Sequence, residues 1–502
     1  MKKNGVILFN PRAANAKFRI PNSILQVGAA LEGKFPYAFV DGNREADPWL
    51  AIEPMLRSGD YRYFACTVMP GQQLRQAIPF TLRIRREFPG IITVWGGYFA
   101  TNQHQVALAS GAVDYVVAGP GDAAFPALLS ALGKGLSPAD IPNLIYMQDG
   151  RIHKTPKEAL LDQDLLPPLP YQKLDAAYPL AGYLGNTILG SRTAAYHSSF
   201  GCPFTCSFCA VVPIYNARWR GKSAANIYRD IKFLKERFGA NGVEFHDNNF
   251  FVSEKRTVEF ARLIAPEQMG WWGEARIDTM DKYSDEALRE IRQSGCRMIF
   301  FGAETGNDAV LQQMNKGGTQ TGEQIKRFAE RMARFDIIPE YSFVLGTPGK
   351  NEAQVWEQIE SDISFIKDVK GINPATEIIM YVYSPVPTEG SALFEEVKKA
   401  GFAFPEHLEE WIAPRWESFD LRKNPLTPWL TPAMVNRILD FETVLNAYYP
   451  TVSDLKVTGL QRKVMRGLSA WRYHSGSYAF PMELRLLQSR WLKYRQPETE
   501  GF

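Results

Sequence analysis

The stretch Phe200-Gly-Cys-Pro-Phe-Thr-Cys-Ser-Phe-Cys-Ala210 places Cys202, Cys206 and Cys209 in a C-x-x-x-C-x-x-C spacing. The 502-residue chain has five cysteines, and the other two, Cys66 and Cys296, stand far away. Clustered thiolates hold iron–sulfur clusters, and a 4Fe–4S cluster normally takes four of them. Three ligands in one loop leave one iron open to a substrate or cofactor. Zinc needs a fourth Cys or His at short spacing, and neither His197 nor a downstream residue stands at one. An odd cysteine count with three crowded together argues against a disulfide framework and fits a reducing compartment. Phe200, Phe204 and Phe208 would shield such a cluster from water.

This spacing, with an aromatic residue (Phe208) just before the last cysteine, resembles that of the radical SAM enzymes. The resemblance implies a 4Fe–4S cluster on the three cysteines, with S-adenosylmethionine (SAM) chelated to the open iron through its amino and carboxylate groups. One electron then cleaves SAM to methionine and a 5′-deoxyadenosyl radical. The cofactor carries that chemistry and the protein supplies position and exclusion of water. An electron donor such as flavodoxin or ferredoxin is implied with it.

Outward from the cysteines, the composition is that of a globular protein. It is 45% hydrophobic and 22% charged with a net charge of +3, too small to argue for a nucleic-acid partner. Two lysines precede an apolar run too short for a signal peptide, and no run of 18 apolar residues occurs. The expectation is a cytoplasmic enzyme acting on a small molecule.

Residues 1–145 alternate strand candidates (Gly5–Asn10, Tyr37–Asp41, Tyr63–Thr67, Ile91–Trp95, Asp114–Ala118) with helical stretches, which predicts a doubly wound parallel α/β sheet. Ligands of such sheets sit at the carboxyl ends of the strands. Pro70, Gly96, Gly97, Gly119 and Gly121 lie in the turns there, where glycine permits close backbone approach. Joined to a radical SAM module, the pattern resembles the Rossmann-like cobalamin-binding domain of cobalamin-dependent radical SAM enzymes. That implies cobalamin over the mouth of the second domain. No Asp-x-His-x-x-Gly occurs, so the lower face of cobalt is expected to be open or water-bound.

Residues 146–190 are Leu- and Pro-rich and predict an extended linker. From 191 to 394 strand–helix alternation resumes, and the resemblance implies a partial (β/α)6 barrel with its chemistry at the carboxyl ends of the strands. Residues 395–502 read as mainly helical. Between Leu460 and Arg495 eight Lys/Arg and one Glu are mixed with Trp and Tyr, a composition open to peripheral membrane contact or to a solvated helical face.

Four downstream segments extend the resemblance. Phe245-His-Asp-Asn-Asn-Phe250 lies where the family has a Phe-x-Asp-Asp-x-Phe-like run beside SAM, with Asn248 for the second Asp. Asp247 and Asn248 are therefore cofactor candidates, and His246 is a catalytic candidate. Arg276, at a strand end, suits the SAM carboxylate because its fork matches a carboxylate. Glu304, in Gly302-Ala-Glu-Thr-Gly306, suits the ribose hydroxyls. Gly346, in Phe343-Val-Leu-Gly-Thr-Pro-Gly349, suits the adenine ring. Tyr383 opens a turn resembling the family's Pro-x-Pro-Gly-Thr, with Thr388 where Gly is usual, and is a second catalytic candidate. Cys66 and Cys296 read as buried small residues.

The leading functional expectation is C-methylation of an unactivated carbon through the deoxyadenosyl radical and methylcobalamin. A cobalamin-dependent cyclisation, rearrangement or oxidation is the second. A non-catalytic corrin or redox sensor is the third. An RNA methylthiotransferase is disfavoured, because additional N-terminal cluster cysteines are absent. An apolar or planar substrate is expected in a cavity bounded by His246, Trp271, Tyr383 and the C-terminal helices.

Overall fold

The computed structural model describes residues 4–13, 18–316, 320–388, 391–417, 426–452 and 457–491. Its first sheet contains β1 (Gly5–Asn10), β2 (Tyr37–Asp41), β3 (Tyr61–Thr67), β4 (Ile92–Gly96), β5 (Tyr115–Val117), β6 (Leu144–Gln148) and β7 (Arg151–Lys154). The order is β2-β1-β3-β4-β5-β6-β7, and the first five strands are parallel. β1 is buried along its whole length, as an apolar strand with helices on both faces must be. Val6 and Leu8 join the helices Asn22–Leu31 and Gly121–Gly133 in one core. Ile7 and Phe9 join Trp49–Arg57 and Leu74–Glu87 in the other. Strand order reverses between β1 and β3, which leaves a crevice at their carboxyl ends.

The chain departs from its expected linker at once. β6 and β7 pair antiparallel and carry the first sheet past residue 145 to Lys154. A helix at Tyr171–Ala177 and the strand β8 (Gly185–Thr187) follow. The proline-rich composition hid short elements that gain their stability from tertiary pairing.

β9 (Gly190–Tyr196) leads into a small antiparallel ribbon, β10 (Ser199–Gly201) with β11 (Trp219–Gly221), and the three cysteines lie between its strands. β12 (Gly242–Phe245), β13 (Gly270–Ala275), β14 (Met298–Glu304), β15 (Ile338–Leu345) and β16 (Glu377–Val382) complete six parallel strands in the order β16-β15-β14-β13-β12-β9, edged by β8. Helices pack outside. Trp271 packs edge-to-face on Phe245 and Phe260 among them, so it belongs to the outer core rather than to the cavity. Its neighbour Trp272 takes the lumen face instead.

Two long helices, Pro432–Tyr448 and Gly459–Ser475, pack together beyond the barrel. Arg472 pairs with Glu483 and Arg485 with Asp440, so part of the basic charge of this region is neutralised internally. Leu460, Leu468 and Trp471 stand exposed on the outer helix. No described helix is long and apolar enough to cross a membrane.

Candidate functional site

The cysteine loop is braced from three sides. Ser207 donates its backbone N–H to the Met314 carbonyl (2.9 Å) and its Oγ to Gln313 O (3.0 Å). Asn315 Nδ2 donates to both Thr205 O and Thr205 Oγ1 at 2.9 Å. Thr388 Oγ1, from the turn after β16, donates to Ser207 O at 2.5 Å. Asn102 Nδ2, from the first domain, reaches Ala210 O at 3.4 Å. These bonds fix the loop through residues that do not themselves ligate metal.

All three thiols are unpaired, with Cys206 buried and Cys202 and Cys209 half-buried. Burial first, and then the crowding of sulfur on sulfur, pushes the Cys209 thiol up to about 12; burial likewise raises Cys202. The backbone N–H groups of Phe204 and Val211 point at Cys202 and Cys209. No three described side chains converge as ligands of a single ion. Crowded buried thiols with N–H donors aimed at sulfur fit a 4Fe–4S cluster.

The predicted polar residues divide sharply. Asp247 is 0% exposed. It accepts from Ser198 N (2.5 Å), Ser199 Oγ (2.9 Å) and Ser198 Oγ. Arg256 donates to the same Ser198 hydroxyl and to the Lys222 and Phe250 carbonyls. Asp247 thus ties β9 to the loop after β12. Asp247→Ala is expected to lower unfolding stability by about 2–4 kcal/mol in chemical denaturation, because it strands buried donors. A loss below about 0.5 kcal/mol, the scale of a surface substitution, would contradict this brace.

Asn248 is exposed, whereas its neighbour Asn249 is buried, with Nδ2 at 4.0 Å from Cys202 Sγ. Asn249 Oδ1 is buried and has no hydrogen-bond partner among the described residues. Alternation ends with β12 at Phe245, so sequence spacing alone does not choose between the two asparagines.

Arg276 and Asp278 form a buried bidentate pair, Nε to Oδ1 at 2.9 Å and Nη2 to Oδ2 at 2.7 Å. Glu304 holds a left-handed φ of +66° at a β-bulge against β15. Its Oε1 accepts from buried Lys316 at 3.1 Å. A Cβ on Gly302 would lie 2.2 Å from that carboxylate oxygen, which explains the glycine. Gly346 has φ +78°, and its carbonyl accepts from Trp429 Nε1 at 2.9 Å. Tyr383 is buried in the apolar cluster with Phe394 and Trp411, and Phe208 sits on the rim of that cluster.

The lumen wall is polar. His246 Nε2 lies 3.2 Å from Glu244 Oε2, and Arg19 of the first domain pairs with the same oxygen at 3.2 Å. Burial alone would raise the Glu244 carboxyl, but the His246 hydrogen bond and Arg19 charge outweigh it and hold it near about 2. Trp272 Nε1 donates to Glu340 Oε2 at 3.1 Å. In register, Glu274 faces Phe300 and Phe300 faces Glu340. Burial, reinforced by the charges of Asp247 and Glu340, pushes the Glu274 carboxyl up to about 8. The folded state therefore binds a proton that the unfolded chain releases near its ordinary value. Stability should fall as pH rises from about 4.5 to 8, with a slope near 1.4 kcal/mol per pH unit from this group. Glu274→Gln should flatten that slope in denaturation midpoints measured across the window. An unchanged slope would remove Glu274 as its source.

At the carboxyl edge of the first sheet lies a cleft of about 780 Å³, including the space at its mouth. Leu8, Ile24, Val27, Ala65, Val94 and Phe125 give it an apolar floor, and Phe200 and Tyr215 of the cysteine ribbon wall its far side. Gly96, Gly97, Gly119 and Gly121 line it, while Pro70 does not. Gly97 (φ +91°) and Gly119 (φ +131°) hold conformations that L side chains rarely adopt. Gln26 Nε2 and Asp122 Oδ1 are buried there without partners among the described residues. Apolar walls, a glycine cradle and orphaned polar atoms fit a large ligand fringed with amides. Sequence reasoning missed Arg19, Asn249 and Tyr98. Burial, and then the nearby Cys209 sulfur, raises the Tyr98 hydroxyl; that side chain follows the Gly96-Gly97 turn and brings the cleft rim to the cluster loop.

Residues 196–361 match the radical SAM superfamily, so the chain carries a radical SAM domain. As a whole it has the fold of the cobalamin-dependent radical SAM enzymes. It superposes on the radical S-adenosylmethionine methyltransferase TsrM from Kitasatospora setae, solved with cobalamin and a [4Fe-4S] cluster bound, with a TM-score of 0.67. Identity there is 15%, covering 95% of this chain and 100% of that one. The match to OxsB, solved with aqua-cobalamin and S-adenosylmethionine, has a TM-score of 0.68 at 14% identity and covers 98% and 75%. An uncharacterized methyltransferase of Pyrococcus horikoshii is 27% identical over 257 residues, 51% of this chain and 53% of the relative. The anaerobic magnesium-protoporphyrin IX monomethyl ester cyclase of Rubrivivax gelatinosus is 26% identical over 382 residues, 73% and 62% respectively. The chain thus spans about half to three-fifths of these two curated relatives.

Proposed function

We propose that this protein is a cobalamin-dependent radical SAM methyltransferase that methylates an unactivated carbon of a small molecule. The observation that carries the reading is the cleft whose far wall is the cysteine-bearing ribbon, through Phe200 and Tyr215. When bound, the cluster and SAM supply a deoxyadenosyl radical and the corrinoid supplies a methyl group. Cys202, Cys206 and Cys209 would hold the cluster. The glycine turns, Gln26 and Asp122 would hold the corrinoid, and none of the described cleft-lining residues is a histidine. Glu304, held by Lys316, keeps a carboxylate at the end of β14 for hydroxyl donors of SAM.

The substrate would lie in the barrel lumen. Trp272 and Phe300 offer aromatic faces there, set 6.3 Å apart, beside His246 and Glu274. That wall suits a planar or apolar body carrying a hydrogen-bond donor better than a pure hydrocarbon. The test is anaerobic turnover with methyl-labelled SAM, cobalamin and a one-electron reductant on candidate substrates. Label in the product, together with 5′-deoxyadenosine, is the expected result. A converted substrate without label would replace methyl transfer by cyclisation, rearrangement or oxidation.

A further inference from the structure

The surroundings of the three thiols are unequal. Cys206 alone receives a charged donor: Arg276 Nη1 lies 3.0 Å from its Sγ. Arg276 is 5% exposed, and its guanidinium lies 4.0 Å from the centre of the Phe204 ring, inside the cysteine loop. The rest of its fork is occupied. Nε and Nη2 grip the two oxygens of Asp278, and Nη2 also donates to the Lys316 carbonyl at 2.5 Å. To clamp a second carboxylate in two-pronged fashion, this side chain would have to release either Asp278 or the Lys316 carbonyl.

We infer that Arg276 is a positioning residue that tunes the reduction potential of the cluster through the Cys206 thiolate, with Asp278 setting how much of its charge the cluster feels. The inference rests on the cluster assignment proposed above. Hydrogen bonds to cluster sulfurs and nearby charge are among the factors that set iron–sulfur potentials. Three thiolates around a doubly positive core leave one net negative charge. Accepting one electron from an external one-electron donor makes it two. A buried guanidinium on a ligating sulfur stabilises the more negative state and raises the potential. The Asp278 carboxylate opposes it, so neutralising Asp278 should raise the potential further.

The test is an anaerobic redox titration of the reconstituted, SAM-free full chain, followed by electron paramagnetic resonance, after iron and sulfide content have been measured. Arg276→Gln should lower the ratio of reduced to oxidised cluster at a fixed potential about tenfold, about 59 mV for a one-electron couple. Arg276→Lys, which keeps the charge without the fork, should fall between that variant and the unmodified protein. It also serves as the measurable variant if Arg276→Gln fails to load iron. Asp278→Asn should move the ratio the other way. Opposite signs for the Arg276 and Asp278 variants are a signature that general loosening of the loop would not produce. Unchanged potentials accompanied by weakened SAM binding would overturn the inference and return Arg276 to the SAM carboxylate. Shifts of the same sign in all variants would also overturn it. An unmodified protein that assembles no 4Fe–4S signal would remove the cluster assignment itself, and the inference with it.

Discussion

A protein with Cys202, Cys206 and Cys209 all changed to alanine is expected to fold, to retain no iron or sulfide after anaerobic reconstitution, and to release no 5′-deoxyadenosine with SAM and dithionite. The remaining cysteines cannot substitute. Cys66 lies in the core on one face of the first sheet and Cys296 in the barrel's outer core. The substitutions also leave the loop's bracing intact, because Ser207, Asn315 and Thr388 make those bonds without using sulfur. Loss of product would therefore report loss of the cluster and not collapse of the loop. Circular dichroism on the same sample separates the two. Deoxyadenosine formed by the triple variant at the unmodified rate would refute the cluster assignment.

The second large effect concerns the cleft. Gly121 opens the helix that follows β5, and a Cβ there would make ordinary van der Waals contacts, with Val27 Cγ2 at 3.4 Å and with Phe125 Cβ and Val117 Cγ1 at 3.9 Å. Gly121→Phe should thus be tolerated by the backbone while its ring fills space the corrinoid needs. Overfilling a packed site costs about 1–3 kcal/mol, so cobalamin affinity should fall roughly 10- to 100-fold. Val27→Trp attacks the same space from the opposite helix and guards against a ring that swings outward. Methyl transfer should be lost in proportion, while uncoupled SAM cleavage continues. Retention of cobalamin at the unmodified level by both variants, read from corrin absorbance after desalting, would show that this cleft is not its site.

Much of this arrangement is legible in the amino-acid order, and the misses have physical causes. The five parallel strands of the first sheet are apolar runs bounded by glycine turns, and β1 and β2 begin and end where alternation places them. The β6–β7 hairpin carries its own signal, since Asp149 (φ +51°) and Gly150 (φ +71°) form the left-handed two-residue turn that an Asp-Gly pair favours. The leucines and prolines that follow masked it. Trp271 shows how parity decides a face. It pairs in register with Val243, so both share the side opposite Glu244, and only strand pairing reveals which side is the lumen. Asn249 and the Arg276–Cys206 contact were beyond reach for another reason. Both join residues separated by more than forty positions, in loops where no periodicity applies.

Phe200 and Tyr215 belong to the segment that carries the cysteines, and their rings stack, with centroids 6.5 Å apart, on the wall of the corrinoid cleft. Ordering that segment around iron would complete a binding surface for the second cofactor, and filling the cleft would in turn hold the cysteines in place. Loading of the two groups should then be cooperative and reciprocal, each tightening the other by the same factor. Iron-free protein should purify with little corrinoid, and corrinoid-starved protein should lose its iron sooner to chelators.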